Sequence, residues 1–228
     1  LIADPLDEQA LRVAHGAAPH DPQGYAGLLE AVAQGTTDDE TAGHWYNEAA
    51  KVWESLGEVA QYQRLVHAAA SKDVTNGEVF ERATAMYRDS GDMNGLAQLL
   101  ERMTHDAGQA LGERPELRDQ LKAGHEELAQ IYSEGPMANP DAAAGHWAAG
   151  AELDPANIYA IYTARELFKS QSRFADAVPL FAKEIAVVDD PGGKLALYRD
   201  EADTRRSAGD MAGASGALRQ ALALQPDD

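Results

Sequence analysis

Apolar residues recur three and four positions apart along most of this chain, the spacing that places them on one face of an α-helix. Tyr46, Ala49, Ala50 and Trp53 form one such stripe, and Tyr62, Leu65, Val66 and Ala69 form the next. Phe80, Ala83, Thr84 and Tyr87 repeat the first arrangement, as do Ile161, Ala164 and Phe168, followed by Phe174, Ala177 and Phe181. Short turns separate the stripes. Ser90-Gly-Asp-Met-Asn-Gly95 echoes Ala208-Gly-Asp-Met-Ala-Gly213, and Leu56-Gly57-Glu58 occupies the same kind of place. In each, glycine suits the left-handed residue that ends a helix, and the acid favours the start of the next.

Other boundaries place a capping side chain directly before proline: Asp4-Pro5, Asp21-Pro22, Asn139-Pro140 and Asp154-Pro155. Proline suits the first helical turn, where its missing N–H has no intrahelical partner to lose. The pattern predicts about twelve helices, over 4–16, 21–34, 38–56, 58–72, 76–90, 93–111, 115–134, 140–153, 156–171, 174–188, 192–209 and 211–225. β-branched residues are sparse and alanine is abundant, so the predicted class is all-α.

These features resemble the tetratricopeptide repeat (TPR), a helix–turn–helix unit of about 34 residues. The resemblance rests on Pro155, Ala164, Phe168, Ala177 and Phe181 in the best-matching unit. The last unit contributes Tyr198, Ala202, Gly209, Ala214, Leu218, Ala221 and Pro226. Tyr46, Ala50, Trp53 and Gly57 carry one earlier unit, and Phe80, Tyr87 and Gly91 carry the next. It implies a single right-handed α-α superhelix (a solenoid) over 1–228, of about six helix pairs. Its units are a degenerate N-terminal pair at 1–42 and repeats at 43–76, 77–121 with a long second helix, 122–157 with a lengthened turn, 158–194 and 195–228. Glu201 and Arg205 depart from the family pattern, standing where it prefers apolar residues.

In the family, the first helix of each pair lines a concave groove that takes a partner peptide or folded protein. Carried onto this chain, the groove positions are His44, Asn47 and Lys51, then Glu81 and Arg88, then Glu126 and Gln130. Tyr159, Tyr162, Glu166 and Lys169 follow, and Arg199, Asp203 and Arg206 complete the set. Tyr159 and Tyr162 lie one helical turn apart, and tyrosine is enriched at binding hot spots. The branch of the family that clamps chaperone C-terminal tails wants lysine where Asn47 stands and asparagine where Lys51 stands, so that ligand is not expected. The implied function is a non-catalytic scaffold or adaptor, in a chain that resembles a segment of a long bacterial repeat array.

Charge narrows the partner. The 38 acidic residues against 19 basic ones give a formal net charge of −19, which repels phosphate backbones and anionic membrane surfaces. Nucleic acid is therefore not expected, nor is membrane insertion, because no apolar run reaches the ~20 residues a span needs. With no cysteine, disulfides and thiolate metal sites are excluded. These absences fit a cytoplasmic location with flanking sequence unknown, and the chain, opening at Leu1 without Met, reads as a piece of something longer.

Candidate chemistry adds little. The histidines His15, His20, His44, His67, His105, His125 and His146 form no HExxH or comparable ligand spacing, so neither metal nor cofactor is expected. Pro191-Gly-Gly-Lys194 lacks both the first glycine and the preceding strand of a phosphate-binding loop. Two alternatives stay open: a helical-repeat region of an enzyme such as a glycosyltransferase, and a structural spacer or homo-oligomerisation module. Leu218, Leu222 and Leu224 leave the last helix with apolar surface to cover.

Overall fold

The computed structural model describes residues 7–225; Asp4-Pro5 and Pro226, read above as helix punctuation and repeat signature, lie outside them. Among the described residues the chain is all-α, with twelve α-helices. They are α1 (Glu8–Ala17), α2 (Pro22–Gly35), α3 (Asp39–Ser55), α4 (Val59–Lys72), α5 (Gly77–Ser90), α6 (Met93–Ala110), α7 (Arg118–Ser133), α8 (Pro140–Leu153), α9 (Ile158–Ser170), α10 (Phe174–Val187), α11 (Pro191–Ser207) and α12 (Met211–Leu224).

Local sequence sets most helix starts. Asp21, Asp38, Asn139 and Asp190 each accept a hydrogen bond from the backbone N–H three residues on, satisfying a donor that the first turn leaves unpaired. The Gly-Asp-Met-x-Gly echo has a physical explanation. Gly91 and Gly209 end their helices at φ 69° and 81°, and Asp92 and Asp210 cap α6 and α12 by accepting from Gly95 and Gly213. A Cβ on Gly95 would stand 2.2 Å from the Tyr87 ring, and one on Gly213 would stand 2.0 Å from the Asp210 carboxylate. Both glycines of the motif are therefore required, the first for its conformation and the second for space.

Two expectations are corrected. The helix predicted over 115–134 opens with a 3₁₀ turn at Pro115–Leu117 that runs directly into α7, because Pro115, which has no N–H to donate, fits a tight first turn. Asp154-Pro155 does not start a helix. Asp154 ends α8 and accepts from the Ala156 N–H, and Asn157 caps α9 three residues later. The long Ser133–Asn139 connection folds into a second 3₁₀ turn, Gly135–Met137, with Gly135 at φ 81°.

The helices pack in sequential antiparallel pairs, and the chain divides into two compact units, Leu1–Leu117 and Arg118–Asp228. In the first unit, α3 packs on α2 and α4, and α5 packs on α4 and α6. Its interior holds Leu29, Trp45, Leu65, Val66, Val79, Leu96, Leu100 and Met103, with Ala42, Ala49, Ala69 and Ala83 between them. The second unit is built around Trp147, Ile161, Phe168 and Leu180, interleaved with Ala129, Ala144, Ala151, Ala160, Ala164 and Ala177. Alanines share these interiors with the large side chains and let the helix axes approach closely, and burial of each large side chain stabilises the fold by roughly 1.5–3 kcal/mol.

Glu201 and Arg205, unexpected at apolar positions, form a local ion pair. Arg205 donates to Glu201 at 2.8 Å and to the α12 cap Asp210 at 2.7 Å. The buried carboxylate is thus satisfied from its own helix, and the charged pair ties α11 to the start of α12.

Candidate functional site

Hydrogen bonds between first helices of successive pairs show which helices lie side by side. In the second unit, Asn157 at the head of α9 donates to Glu126 on α7 at 2.8 Å. Lys169 on α9 donates to both oxygens of Asp200 on α11 at 2.7 Å. α7, α9 and α11 therefore lie side by side along one face of this unit.

The middle of that face is aromatic and open. Tyr159 and Tyr162 are 65% and 49% exposed, with Ile158 beside them at 45%. Tyr159 meets the buried Trp147 edge-on at 5.2 Å, so one side of its ring is braced by the core and the other faces solvent. Tyr162 lies 5.3 Å from the Arg165 guanidinium, within cation–π range. Two rigid aromatic rings, each held on one side, form a surface that loses little entropy on contact.

Beneath them Arg165 is only 3% exposed. It donates to Glu184 at 2.8 Å, to Glu166 at 2.6 Å and to Asp200 at 2.6 Å, while stacking 4.5 Å from Phe181. Glu184 on α10 is itself buried. Arg165 thus joins α9, α10 and α11 at one point and fixes the helix that presents the tyrosines. Sequence reading passed over Arg165, Glu184 and Asp200. A signal was available, because Arg165 and Asp200 carry opposite charge 35 residues apart, close to the repeat period.

Of the other expected groove residues in this unit, Glu126 is held by Asn157, and Glu166 and Lys169 belong to the Arg165 network. Gln130 and Arg199 are exposed, and Asp203 and Arg206 pair with each other at 2.7 Å on the surface of α11.

The first unit uses its corresponding positions differently. Asn47 is 2% exposed and accepts from the Arg82 Nε–H at 3.1 Å, so it is an internal tie and offers nothing to a ligand. Lys51 bridges Glu48 and Glu78, joining α3 to α5. Burial disfavours the Lys51 ammonium, and the two carboxylates outweigh this and hold its pKa above the ordinary value. His44 is exposed with its ring 4.9 Å from Trp45, and Glu81 and Arg88 are exposed on α5.

Among the described residues, no group of three or more His, Asp or Glu side chains stands in an arrangement that could hold a metal ion. None of their helices is long and apolar enough to cross a membrane.

The class of molecule is an all-α stack of sequential helix pairs. Solved structures similar to this chain include YrrB, a TPR protein with an unusual peptide-binding site, at 16% identity over 89% of this chain and 94% of that one, with a TM-score of 0.37. They also include a MamA structure at 15% identity, covering 81% of this chain and 92% of that one, with a TM-score of 0.36. BtubC from P. vanneervenii matches at 15% identity over 99% and 89% of the two chains, with a TM-score of 0.35. No protein-family model and no curated protein matches the chain. These superpositions are loose, and the fold assignment stands on the helix pairing itself.

Proposed function

We propose that this chain is a non-catalytic scaffold that holds a partner protein or peptide against the α7–α9–α11 face of its second unit. One observation carries the reading: Tyr159 and Tyr162 stand exposed, one helical turn apart, on a helix locked from behind by the Arg165 network. Exposed aromatic rings on a rigid support are the groups that concentrate binding energy at protein interfaces. The surrounding charges are largely paired with one another, so they shape a polar rim around the aromatic centre. The net charge of −19 disfavours polyanionic partners.

The test is affinity capture from cells of the source organism, followed by titration of the captured protein against purified chain. Replacing both tyrosines (Tyr159→Ala, Tyr162→Ala) in a chain of unchanged helicity is expected to weaken binding at least ~30-fold, the effect of losing about 2 kcal/mol at a hot spot. Equal affinity of the two chains would move the site to another surface.

A further inference from the structure

We infer that the first unit binds a lysine or arginine side chain of a partner protein, in a hollow between α4 and the last turns of α3 and α5. The hollow lies in a different unit from the tyrosine face, and the inference does not rest on the proposed function.

The hollow has a volume of about 340 Å³, at the small end of the range for ligand sites and suited to a single side chain. Met86 is buried at its base, Tyr62 and Gln63 are half-buried along its wall, and Glu54, Val59 and Asp89 stand exposed around its mouth. Its openness does not come from a chain end, because α3 packs on both α2 and α4, and α5 on both α4 and α6. A second depression of about 250 Å³ shares Gln63, Met86 and Ser90 with the first and extends it toward His67 and Asp92.

The occupant follows from the chemistry of the lining. Lysine and arginine bury an apolar stem while keeping a cationic head among polar groups. The hollow offers carbon from Met86, Tyr62 and Val59, then carboxylates from Glu54 and Asp89 at the mouth, and none of its lining residues is basic. Arg82 approaches from outside the hollow, paired with Glu54 and 6.0 Å from the Tyr62 ring. Glu54 is thereby neutralised, and Asp89 supplies the charge for a second cation. Among the described residues Asp89 has no cationic partner of its own.

The helix-pair framework does not require Asp89. Counted from the left-handed residues of the turns, Gly57 and Gly91 in the first unit and Ser172 and Gly209 in the second, Glu54 corresponds to Lys169 and Arg82 to Asp200. Both pairs form ion pairs, with the charges exchanged, so Glu54–Arg82 is the structural tie. Asp89 corresponds to Ser207, and Met86 to Thr204. The carboxylate and the apolar base are thus particular to the first unit, and the fold is built without them in the second.

The test is a methyl NMR titration of the purified chain with N-acetyl-lysine methylamide, N-acetyl-arginine methylamide and the neutral N-acetyl-norleucine methylamide. The two cationic probes are expected to give saturable shifts at the Val59 and Met86 methyls, and the neutral probe none. Asp89→Asn, at an exposed position, should weaken the cationic probes about threefold, the effect of removing one exposed carboxylate. The chain with Tyr159→Ala and Tyr162→Ala should bind them as the parent does, which separates this site from the tyrosine face. Equal shifts with the neutral probe overturn the inference, and so does an affinity unchanged by Asp89→Asn. Absence of shifts at these two methyls, or shifts that spread over the acidic surface without saturating, overturn it as well. Tighter binding of spermidine at the same methyls would assign the hollow to a free polyamine and overturn the partner side chain as its occupant.

Discussion

The two units solve the same problem, fastening one first helix to the next, with arginines of opposite character. In the first unit Arg82 on α5 reaches the Asn47 side chain and the Glu54 carboxylate on α3, and its own side chain is partly exposed at the surface. In the second, Arg165 is enclosed and bonded to three carboxylates on three helices. The first arrangement consumes groove positions, because Asn47 and Lys51 spend their polar groups on α5. The second lies beneath the face and leaves the positions above it to the tyrosines. The difference teaches that aromatic surface stays exposed where the structural tie is buried below it.

Breaking the two ties should therefore cost different amounts. Arg165→Ala leaves Glu184 buried without its cation, a loss of about 3–5 kcal/mol. Arg82→Ala strands the buried Asn47 amide oxygen and the exposed Glu54 carboxylate, which water can serve, a loss of about 1–2 kcal/mol. Urea unfolding followed by helical circular dichroism measures both, and equal losses would mean that burying the tie does not change its strength. Replacing the buried pair together (Arg165→Met, Glu184→Leu) should recover most of the stability, because no charge is then left unpaired.

The same contrast marks how far the sequence could be read. Twelve helices and most of their boundaries were legible because apolar spacing and capping residues are local signals. Asp154-Pro155 misled because a capping acid before proline also begins a turn, and only the path of the chain shows that Asn157 is the cap. Tyr159 and Tyr162 were readable as candidates from the repeat register. Asn47 occupied an equivalent register position and proved internal, because whether a groove position stays open depends on what the neighbouring repeat aims at it. Arg165 was harder to read: its opposite charge to Asp200, close to the repeat period, was a signal, but the periodicity of a single helix reports nothing about partners on α10 and α11.

A smaller test concerns the turns between paired helices. Gly57, Gly91 and Gly209 adopt the left-handed conformation at three of them, but at the α9–α10 turn Ser172 adopts it at φ 60°. A residue with a Cβ pays about 1–2 kcal/mol there, partly offset because glycine adds freedom to the unfolded chain. Ser172→Gly should therefore stabilise the chain by up to ~1 kcal/mol, and Gly91→Ser should destabilise it by a similar amount. Thermal unfolding of both variants gives the comparison, and a neutral Ser172→Gly would mean that the surrounding bonds offset the strain.

The smallest expected effect belongs to an exposed tie and depends on pH. Arg64 on α4 grips Glu30 on α2 through two hydrogen bonds of 2.7 Å, and these hold the Glu30 carboxyl below its ordinary value of 4.5, against the opposing effect of partial burial. A depressed carboxylate pKa contributes stability that is present above the unfolded value and lost as pH falls through the folded one. With the Arg64 side chain about half exposed, solvent screening limits the contribution to less than ~1 kcal/mol. Between neutral pH and pH 5 the Glu30→Gln variant should therefore be slightly less stable than the parent chain, and the gap should close as the pH drops below 4.5. Added salt should narrow the gap at neutral pH, whereas the Arg165 difference should barely respond, since a buried pair is screened far less than a surface one. A gap that persists in acid would show that Glu30 acts through packing of its methylene groups, and the exposed ties would then be spacers whose charge contributes little.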